Sequence, residues 1–479
     1  MASQVLSFPS KPRVFILTDI TNEPDDAESF VRYLTYSNQF DTEGIVATTS
    51  VWLKNKVAPE NLHEIISAYE LVVDNLNRHV HPSSPYPSAQ YMRDLVRSGP
   101  PVYGMAAVDD DTPLSPGGEL LLSRLQDSTK DTPLWVLIWG GSNVLAQVLH
   151  RIRNHPNAPH LRSKLRVYAI SDQDDTGAWI RLQWPDIFYI CSVHGWCQYP
   201  NATWTGISGQ NTSEQGGPDP SRVTHEWIKD NIQIGPLGKA YPDFMYIPEG
   251  DTPTFLYLIQ NGLGVPEEPS YGSWGGRYLP VNVGKQGYPR GHFADAADEV
   301  VGLNGTKFKS NRATIWRWRN TFQNDFAARM QWTLTPDFGG ANHHPVILVG
   351  DEKVGSTAPL YYEVEAGSTL VLNASGTYDP DGDELSFSWY QYREPSATQT
   401  YHTTKEVAEL GIKVLNEGGT KVEIAVPAWE RSCMVIREKV PLRKGPLLHV
   451  ILEVKDSGSP QLTSYRRVIF QPYNRNVSE

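Results

Sequence analysis

Short apolar runs followed by polar residues recur along the first two-thirds of the chain. These runs predict strands, and they lie at 14–17, 43–50, 134–138, 165–170 and 187–190. Between these strands, apolar residues recur at helical spacing and predict helices. One helix begins near Ala27, and the others lie at 62–73, 117–127 and 144–149. Strands that alternate with helices predict an α/β fold with a mainly parallel sheet and flanking helices. Further helical segments are predicted around 292–302 and 320–332.

The hydrophobic pattern changes after a turn-rich stretch at 335–345. Beyond it, short segments of alternating apolar and polar residues are separated by turn residues, and they lie at 360–364, 369–372, 385–390, 421–425, 448–454 and 467–470. This spacing predicts an antiparallel β-sandwich. The sequence therefore predicts two domains, an α/β domain over 1–335 and a sandwich over 345–479.

Four carboxylates lie in the turn between the first strand and the first helix, at Asp19, Glu23, Asp25 and Asp26. Like charges this close repel one another, and a helix N-terminus offsets only about 0.3–1 kcal/mol per charge. A hard cation such as Ca²⁺, which takes about six to eight oxygen ligands, suits such a cluster far better. The alternative interpretation is an ordinary surface helix with acidic residues at its N-terminus.

Polar residues at other strand ends are expected beside this acidic turn, because the carboxyl ends of parallel strands meet at one edge of a sheet. These ends are 48–50, 140–143 and 171–175. A further carboxylate pair, Glu249 and Asp251, opens a later helix, and the loop at 271–278 carries Trp274 and Arg277. The convergence of the strand ends predicts a ligand site at one rim of the sheet.

Composition narrows the class of partner. Hydrophobic residues make up 39% and charged residues 20% of the chain, as expected of a globular protein. The net charge of −12 disfavours nucleic acid and anionic membranes as partners, and no apolar run approaches the ~20 residues of a membrane span. N-x-Ser/Thr sequons at 201, 211, 304, 373 and 476 favour a secreted protein whose signal peptide has been removed. A cytoplasmic location is the alternative, because the N-terminus lacks an apolar core. Cys191 and Cys197 are close enough in sequence for a short-loop disulfide.

The acidic turn resembles the signature of the nucleoside hydrolases, an Asp-rich turn after the first strand that holds Ca²⁺. Asp19, Asp25 and Asp26 match its first, third and fourth acidic positions. Thr21 stands at the second position, where that family has a metal ligand that also activates water, and Glu23 or Asp19 is a candidate to replace it. The resemblance implies a set of Ca²⁺ ligands: Asp19, Asp26, the backbone carbonyl of Ser142, and Asp251. Gly250 precedes the last of these, where the family usually has His.

The segments 18–26, 170–177 and 249–253 resemble more closely the microbial proteins described as cellulose-binding with a nucleoside-hydrolase-like domain. In the second domain, 373–389 is similar to PKD and related Ig-like modules. Its carboxylates Asp379, Asp381 and Asp383 are expected to form a charged hairpin turn rather than a metal site.

These resemblances imply a glycoside hydrolase that acts on a plant or microbial cell-wall oligosaccharide or polysaccharide with the help of Ca²⁺. Carboxylates are the main expected catalytic groups, with Asp25 or Glu23 as the base. The candidates for the proton donor are Asp172, Asp175, Glu249 and His194. The predicted sugar contacts are Asn22, Asn143, Asp172, Trp179, Trp274 and Arg277, and Trp196 is a further stacking candidate. The alternatives are a non-catalytic cellulose-binding protein and a true ribonucleoside hydrolase. Thr21 and Gly250 disfavour the ribonucleoside hydrolase, because they depart from the signature of that family. Because nucleoside hydrolases are oligomers, a homo-oligomer is a further expectation.

Overall fold

The structure is a computed structural model, and it describes residues 2–194, 198–209, 214–281, 291–397, 404–436 and 438–478. Trp196 and Cys197 lie outside these residues, so the predicted stacking role and the predicted disulfide stay predictions. Cys191 lies within them and is buried at the end of a strand.

An eight-stranded sheet forms the centre of the first part of the chain. Its strands follow the spatial order β3-β2-β1-β4-β5-β6-β8-β7. In chain order they are β1 (Arg13–Thr18), β2 (Asp41–Ala47), β3 (Val96–Ser98), β4 (Leu134–Ile138), β5 (Leu165–Ala169), β6 (Phe188–Cys191), β7 (Tyr278–Pro280) and β8 (His292–Asp295). All neighbouring pairs are parallel except β7 with β8. The predicted mainly parallel sheet is confirmed.

Helices cover both faces of the sheet. They are α1 (Asp25–Tyr36), α2 (Pro59–Glu70), α3 (Val73–Leu76), α4 (Ala89–Asp94), α5 (Pro116–Asp127), α6 (Asn143–Ile152), α7 (Ala158–Arg162), α8 (Thr176–Gln183), α9 (His225–Asn231), α10 (Gly235–Gly238), α11 (Pro253–Leu256), α12 (Ala313–Trp316) and α13 (Arg319–Trp332). Val14 and Ile16 of β1 belong to one hydrophobic core, whereas Phe15 and Leu17 belong to the other. Because successive side chains of a strand point to opposite faces, this continuous apolar run fills both cores.

The helix predicted around 292–302 is wrong. This segment instead contains β8 and β9 (Asp298–Val301). β8 adds to the large sheet beside β6, and β9 forms an antiparallel pair with β10 (Lys307–Ser310). Pairing with strands that are distant or later in the chain overrides the local preference of this Ala-rich and Glu-containing segment.

The last part of the chain consists of two packed sheets. One has the order β11-β19-β18-β13 and the other β12-β15-β14, beside a small pair of strands and a short helix. The elements are β11 (Leu360–Glu365), β12 (Thr369–Asn373), β13 (Ser386–Tyr392), β14 (Gly411–Val414), β15 (Lys421–Ala425), α14 (Trp429–Ser432), β16 (Met434–Val435), β17 (Val440–Pro441), β18 (Leu448–Lys455) and β19 (Thr463–Tyr473). Side chains from both sheets share one core. The predicted sandwich is confirmed, with one parallel pair, β11 and β19, among antiparallel ones.

Buried polar contacts join the sandwich to the α/β part. The guanidinium of Arg467 donates to the backbone carbonyls of Leu263 at 2.7 Å and Tyr271 at 3.0 Å. The hydroxyl of Tyr392 donates to Asp298 at 2.6 Å. The division at 335–345 stays a prediction, because these contacts link the two sides of it closely. None of the described helices is long and apolar enough to cross a membrane.

Candidate functional site

The acidic turn begins where β1 ends, and its backbone conformation decides which side chains face the cleft. Thr21 has a φ of +87°, an uncommon conformation for a β-branched residue. Thr21 itself does not line the cleft, whereas the next two residues, Asn22 and Glu23, do. Behind the turn, the Thr18 hydroxyl donates to Asp26 and so fixes the first turn of α1. Local strain of this kind is concentrated at functional sites.

Three carboxylates from two distant segments meet in the cleft. Asp25, Asp26 and Asp251 each offer one oxygen, and these oxygens lie within 4.8 Å of one another. Asp19 also lines the cleft, as Glu23 does. One oxygen of Asp19 and one of Asp251 are buried without a hydrogen-bond partner among the residues that the structure describes. The described lining contains no Lys or Arg. Buried carboxylate oxygens without a donor fit a hard cation.

Burial and mutual repulsion raise the pKa of every carboxyl in this cluster. Burial raises the pKa of Asp19 to about 6, although a hydrogen bond from Ser50 opposes the rise. Burial and the charges of Asp19 and Glu23 raise the pKa of Asp25 to about 7. For the same two reasons, the pKa values of Asp26 and Asp251 lie well above their ordinary range. The cluster therefore favours any positive charge that enters it, whether a proton or a metal ion.

The predicted strand ends do converge around the acidic turn. A Cβ atom on Gly140 would lie 2.5 Å from Asp19 Oδ1, so only glycine allows this approach. The backbone N–H of Gly141 donates to the carbonyl of Thr49 at 2.9 Å. A Cβ atom on Gly250 would lie 2.6 Å from Asp25 Oδ2 and 3.1 Å from the Trp204 ring. The position expected to hold His in nucleoside hydrolases is therefore filled here by Asp25 and Trp204.

Aromatic side chains form the walls of the cleft, which has a volume of about 320 Å³. They are Trp52, Tyr199, Trp204 and Tyr246. The Tyr199 ring lies 6.1 Å from that of Trp52 and 6.5 Å from that of Trp204. Trp52 is 50% exposed and Tyr246 is 71% exposed, so both present ring surface at the mouth. Sequence reasoning missed all four. Trp52 comes two residues after the polar end at 48–50, and the other three lie in a segment, 195–250, whose sequence is rich in Gly, Pro, Trp and Tyr.

The residues predicted to donate a proton lie elsewhere. Asp175 is exposed and accepts the backbone N–H of Met105 at 2.8 Å. Glu249 is buried and forms an ion pair with Arg32 at 2.6 Å. Asp172, a predicted sugar contact, pairs with Arg181 at 2.5 Å. None of the three acidic residues is among the residues that line the described cleft, so the structure does not place any of them where it was expected.

Asn143 and Ser142 serve the fold behind the cleft. Asn143 Nδ2 donates to the Thr49 hydroxyl and to the Val102 carbonyl, both at 2.9 Å. The carbonyl of Ser142, predicted to bind the metal, accepts the N–H of Ala146 in the first turn of α6. Neither residue is part of the described cleft lining. The structure therefore gives no support to either as a ligand contact.

Three further predicted sugar contacts are structural. Trp274 is 1% exposed and packs edge-on against Phe322 and Tyr465. Arg277 is buried in an ion pair with Asp298 at 2.7 Å. Trp179 packs against the core beneath α8, at the ring of Trp184. The loop predicted at 271–278 is therefore a buried segment. Phe322, Tyr465 and Asp298, which come later in the chain, cover it.

His194, a predicted candidate for the proton donor, lies behind the aromatic wall. Its Nε2 is 2.7 Å from the Ser171 hydroxyl, which also accepts from the Trp204 indole at 2.9 Å. Its ring meets Tyr199 edge-on at 4.8 Å. This chain of contacts fixes the orientation of the two wall residues Tyr199 and Trp204.

Comparisons with known proteins give the family. A family model described as "Cellulose-binding Sde182, nucleoside hydrolase-like domain" matches residues 13–278. A second, described as "Cellulose-binding protein Sde0182, C-terminal domain", matches residues 369–472. A comparison with curated proteins found no match.

One solved structure is similar over nearly the whole chain. It is a nucleoside hydrolase-related hypothetical protein from Saccharophagus degradans that is associated with carbohydrate metabolism. It is 29% identical, with a TM-score of 0.76, over 97% of this chain and 100% of its own. The effector protein XOO4466 is 12% identical, with a TM-score of 0.30 over 68% of this chain and 95% of its own. The family model and the S. degradans structure confirm the predicted resemblance: this chain belongs to the cellulose-binding Sde182 family, which has a nucleoside hydrolase-like domain.

Proposed function

We propose that the cleft binds Ca²⁺ together with a cell-wall saccharide and hydrolyses a glycosidic bond in that saccharide. One observation carries the proposal. Asp25, Asp26 and Asp251 offer oxygens within 4.8 Å of one another, and they do so in a cavity with aromatic walls. Acidic clusters and exposed aromatic rings together suit a cation and the apolar face of a sugar.

The proposed cation ligands are Asp19, Asp26 and Asp251. The unpartnered buried oxygens of Asp19 and Asp251 support this choice, because their burial is costly unless a positive charge compensates it. A bound Ca²⁺ supplies Lewis acidity and an anchor for sugar hydroxyls. The two other carboxylates of the lining, Glu23 and Asp25, are left for chemistry on the substrate.

Glycosidic hydrolysis needs one carboxyl that protonates the leaving oxygen and one carboxylate that activates water or attacks the sugar. We assign the base to Asp25 and the proton donor to Glu23. Asp175 accepts the backbone N–H of Met105, and Glu249 is paired with Arg32. Because these contacts hold both carboxylates outside the cleft, Glu23 is the better candidate for the proton donor. Glu23 is only partly buried, and no hydrogen bond to its side chain is found among the described residues, so it is free to meet a substrate oxygen. Its position after Thr21 supports its replacing the missing second carboxylate of the nucleoside-hydrolase signature.

A non-catalytic carbohydrate-binding protein is the second candidate. Thr21 stands at the position where nucleoside hydrolases carry the carboxylate that activates water, and it is not among the residues that line the cleft. The family description gives cellulose binding as a property, whereas it gives nucleoside hydrolase only as a likeness of the domain. In this case Glu23 and Asp25 bind sugar hydroxyls without transferring protons.

Release of reducing sugar from a panel of cell-wall oligosaccharides separates the two candidates. The wild-type protein with Ca²⁺ is expected to release sugar, and Asp25→Asn and Glu23→Gln to reduce the rate at least about a hundredfold. Asp230→Asn, at an exposed position in α9, is the matched control. Binding to the same oligosaccharides without any release would favour the second candidate. Release of free base from inosine or uridine would instead support a ribonucleoside hydrolase.

A further inference from the structure

A second cavity lies on the other side of the acidic turn. This side groove, of about 550 Å³, runs between the turn and helix α2. Asn22 and Glu23 line both the cleft and the side groove, so the two cavities share one ridge. Each lies within the size range of about 300–1,000 Å³ that holds small-molecule ligands in proteins.

The side groove has the surface of a sugar-binding site. Asn61 and Glu64 are three residues apart on α2, and Ile65 follows, so all three face the groove from one side of the helix. Across from them, Ala240 and Pro242 supply apolar surface. A pyranose ring presents both hydroxyl groups and apolar C–H faces, and a groove with a polar edge and an apolar wall matches both.

The polar side chains along this path have no other partners. Among the residues that the structure describes, no hydrogen bond or ion pair involves the side chains of Asn22, Glu23, Asn61 or Glu64. Four free polar groups therefore follow one another from the cleft, over the ridge and into the side groove. A connected line of such groups between two cavities suits a ligand with several hydroxyl groups in a row.

The conformation of Thr21 creates the ridge. Because its φ of +87° turns the chain sharply, Asn22 and Glu23 stand between the two cavities. A mononucleoside or a monosaccharide fills only the cleft. A ligand that continues past Glu23, the proposed proton donor, enters the side groove with its next unit.

We propose that the side groove is a subsite for an additional sugar unit, and that the ligand is therefore an oligosaccharide chain that crosses the Asn22–Glu23 ridge. The inference rests on the proposed binding of a saccharide in the cleft. It adds the class of ligand, a linear oligomer, and the direction in which that oligomer leaves the cleft.

Isothermal titration with cellobiose, cellotetraose and cellohexaose in the presence of Ca²⁺ tests the subsite. We expect the wild-type protein to bind cellohexaose roughly tenfold or more tightly than cellobiose, since one hydrogen bond contributes a factor of about 2 to 12. In the double variant Asn61→Ala with Glu64→Ala, this ratio should fall to within about twofold of unity. Asn61→Trp, which fills the groove, should have the same effect on the ratio. The matched control is Glu60→Ala with His63→Ala, on the exposed side of the same helix.

The outcomes are distinguishable. If the wild-type protein binds cellobiose but binds cellohexaose no more tightly, the side groove is not a subsite, while the proposed function of the cleft stands. The same holds if both groove variants keep the wild-type ratio. If the wild-type protein binds none of the three sugars, both the subsite and the proposed function are overturned.

Discussion

The carboxylate cluster makes an unusual prediction: removing one of its acids should stabilise the protein in the absence of metal. Asp251→Asn keeps the shape of the side chain and removes one negative charge from a group of buried carboxylates. Asp251 is 1% exposed, so water screens its charge poorly. The same substitution removes a proposed Ca²⁺ ligand. The variant should therefore be more stable than wild type without Ca²⁺ and should gain less stability when Ca²⁺ is added.

The distances set the magnitude. Two unit charges whose oxygens lie within 4.8 Å of each other repel by roughly 3.5 kcal/mol at an effective dielectric constant of about 20. The net repulsion is reduced because protons already neutralise part of the charge, as the raised pKa values of Asp26 and Asp251 indicate. We expect a gain in the free energy of unfolding on the order of 1–3 kcal/mol for metal-free Asp251→Asn. For wild type, Ca²⁺ at about one hundred times its dissociation constant should add about 2.7 kcal/mol.

Thermal unfolding in EDTA and in excess Ca²⁺ measures both effects. The wild-type protein should show the larger rise of Tm with Ca²⁺, and Asp251→Asn the higher Tm in EDTA. Asp230→Asn, an exposed carboxylate outside the cleft, should behave as wild type in both conditions. The reasoning is refuted if Asp251→Asn loses stability in EDTA, or if Ca²⁺ raises its Tm as much as that of wild type.

Three further predictions concern the fold and the cleft walls. Burial and the nearby Arg467 hold the pKa of His449 well below its ordinary value of 6.5, so the ring stays neutral in the folded protein and takes up a proton only on unfolding. The contribution of His449 to stability should thus be constant above about pH 6.5 and fall as the pH drops below it. In urea titrations between pH 5 and 7, His449→Gln should therefore gain stability relative to wild type as the pH falls. Tyr392→Phe removes the hydroxyl that donates to buried Asp298 and should lower the free energy of unfolding by about 1–3 kcal/mol, whereas Tyr362→Phe should have little effect. Trp52→Ala should weaken oligosaccharide binding about tenfold in calorimetry, while Tyr361→Ala, an exposed aromatic residue in the sandwich, should leave it unchanged; equal binding by both variants would exclude Trp52 from the site.

The parts of the site that lie at strand ends and helix starts were predictable from the sequence. Asp19, Asp25 and Asp26 follow a fully apolar strand, and a strand of that kind is buried in a parallel sheet with its carboxyl end at the rim. Asp251 was predictable from its place before an apolar helix together with the nucleoside-hydrolase resemblance. These inferences need only local patterns and one rule of sheet topology.

The cleft walls and the buried loop were not predictable in the same way. Trp204 lies in a single short 3-10 helix (Thr203–Ile207) and Tyr246 lies in irregular backbone, and neither offers a periodicity that indicates which side chains face a cavity. Arg277 reads as an exposed loop residue, but its partner Asp298 comes 21 residues later. The strand at 292–295 depends on a pairing with β6, about a hundred residues earlier, and local helix preference cannot reveal it.

The most direct test of the account is a crystal structure of the protein with Ca²⁺ and a cell-wall oligosaccharide. The account predicts a cation in contact with Asp26 and Asp251, and a sugar ring against the wall formed by Trp52, Tyr199 and Trp204. An acidic cluster without a cation at saturating Ca²⁺, or a sugar bound only at a distant surface, would contradict it.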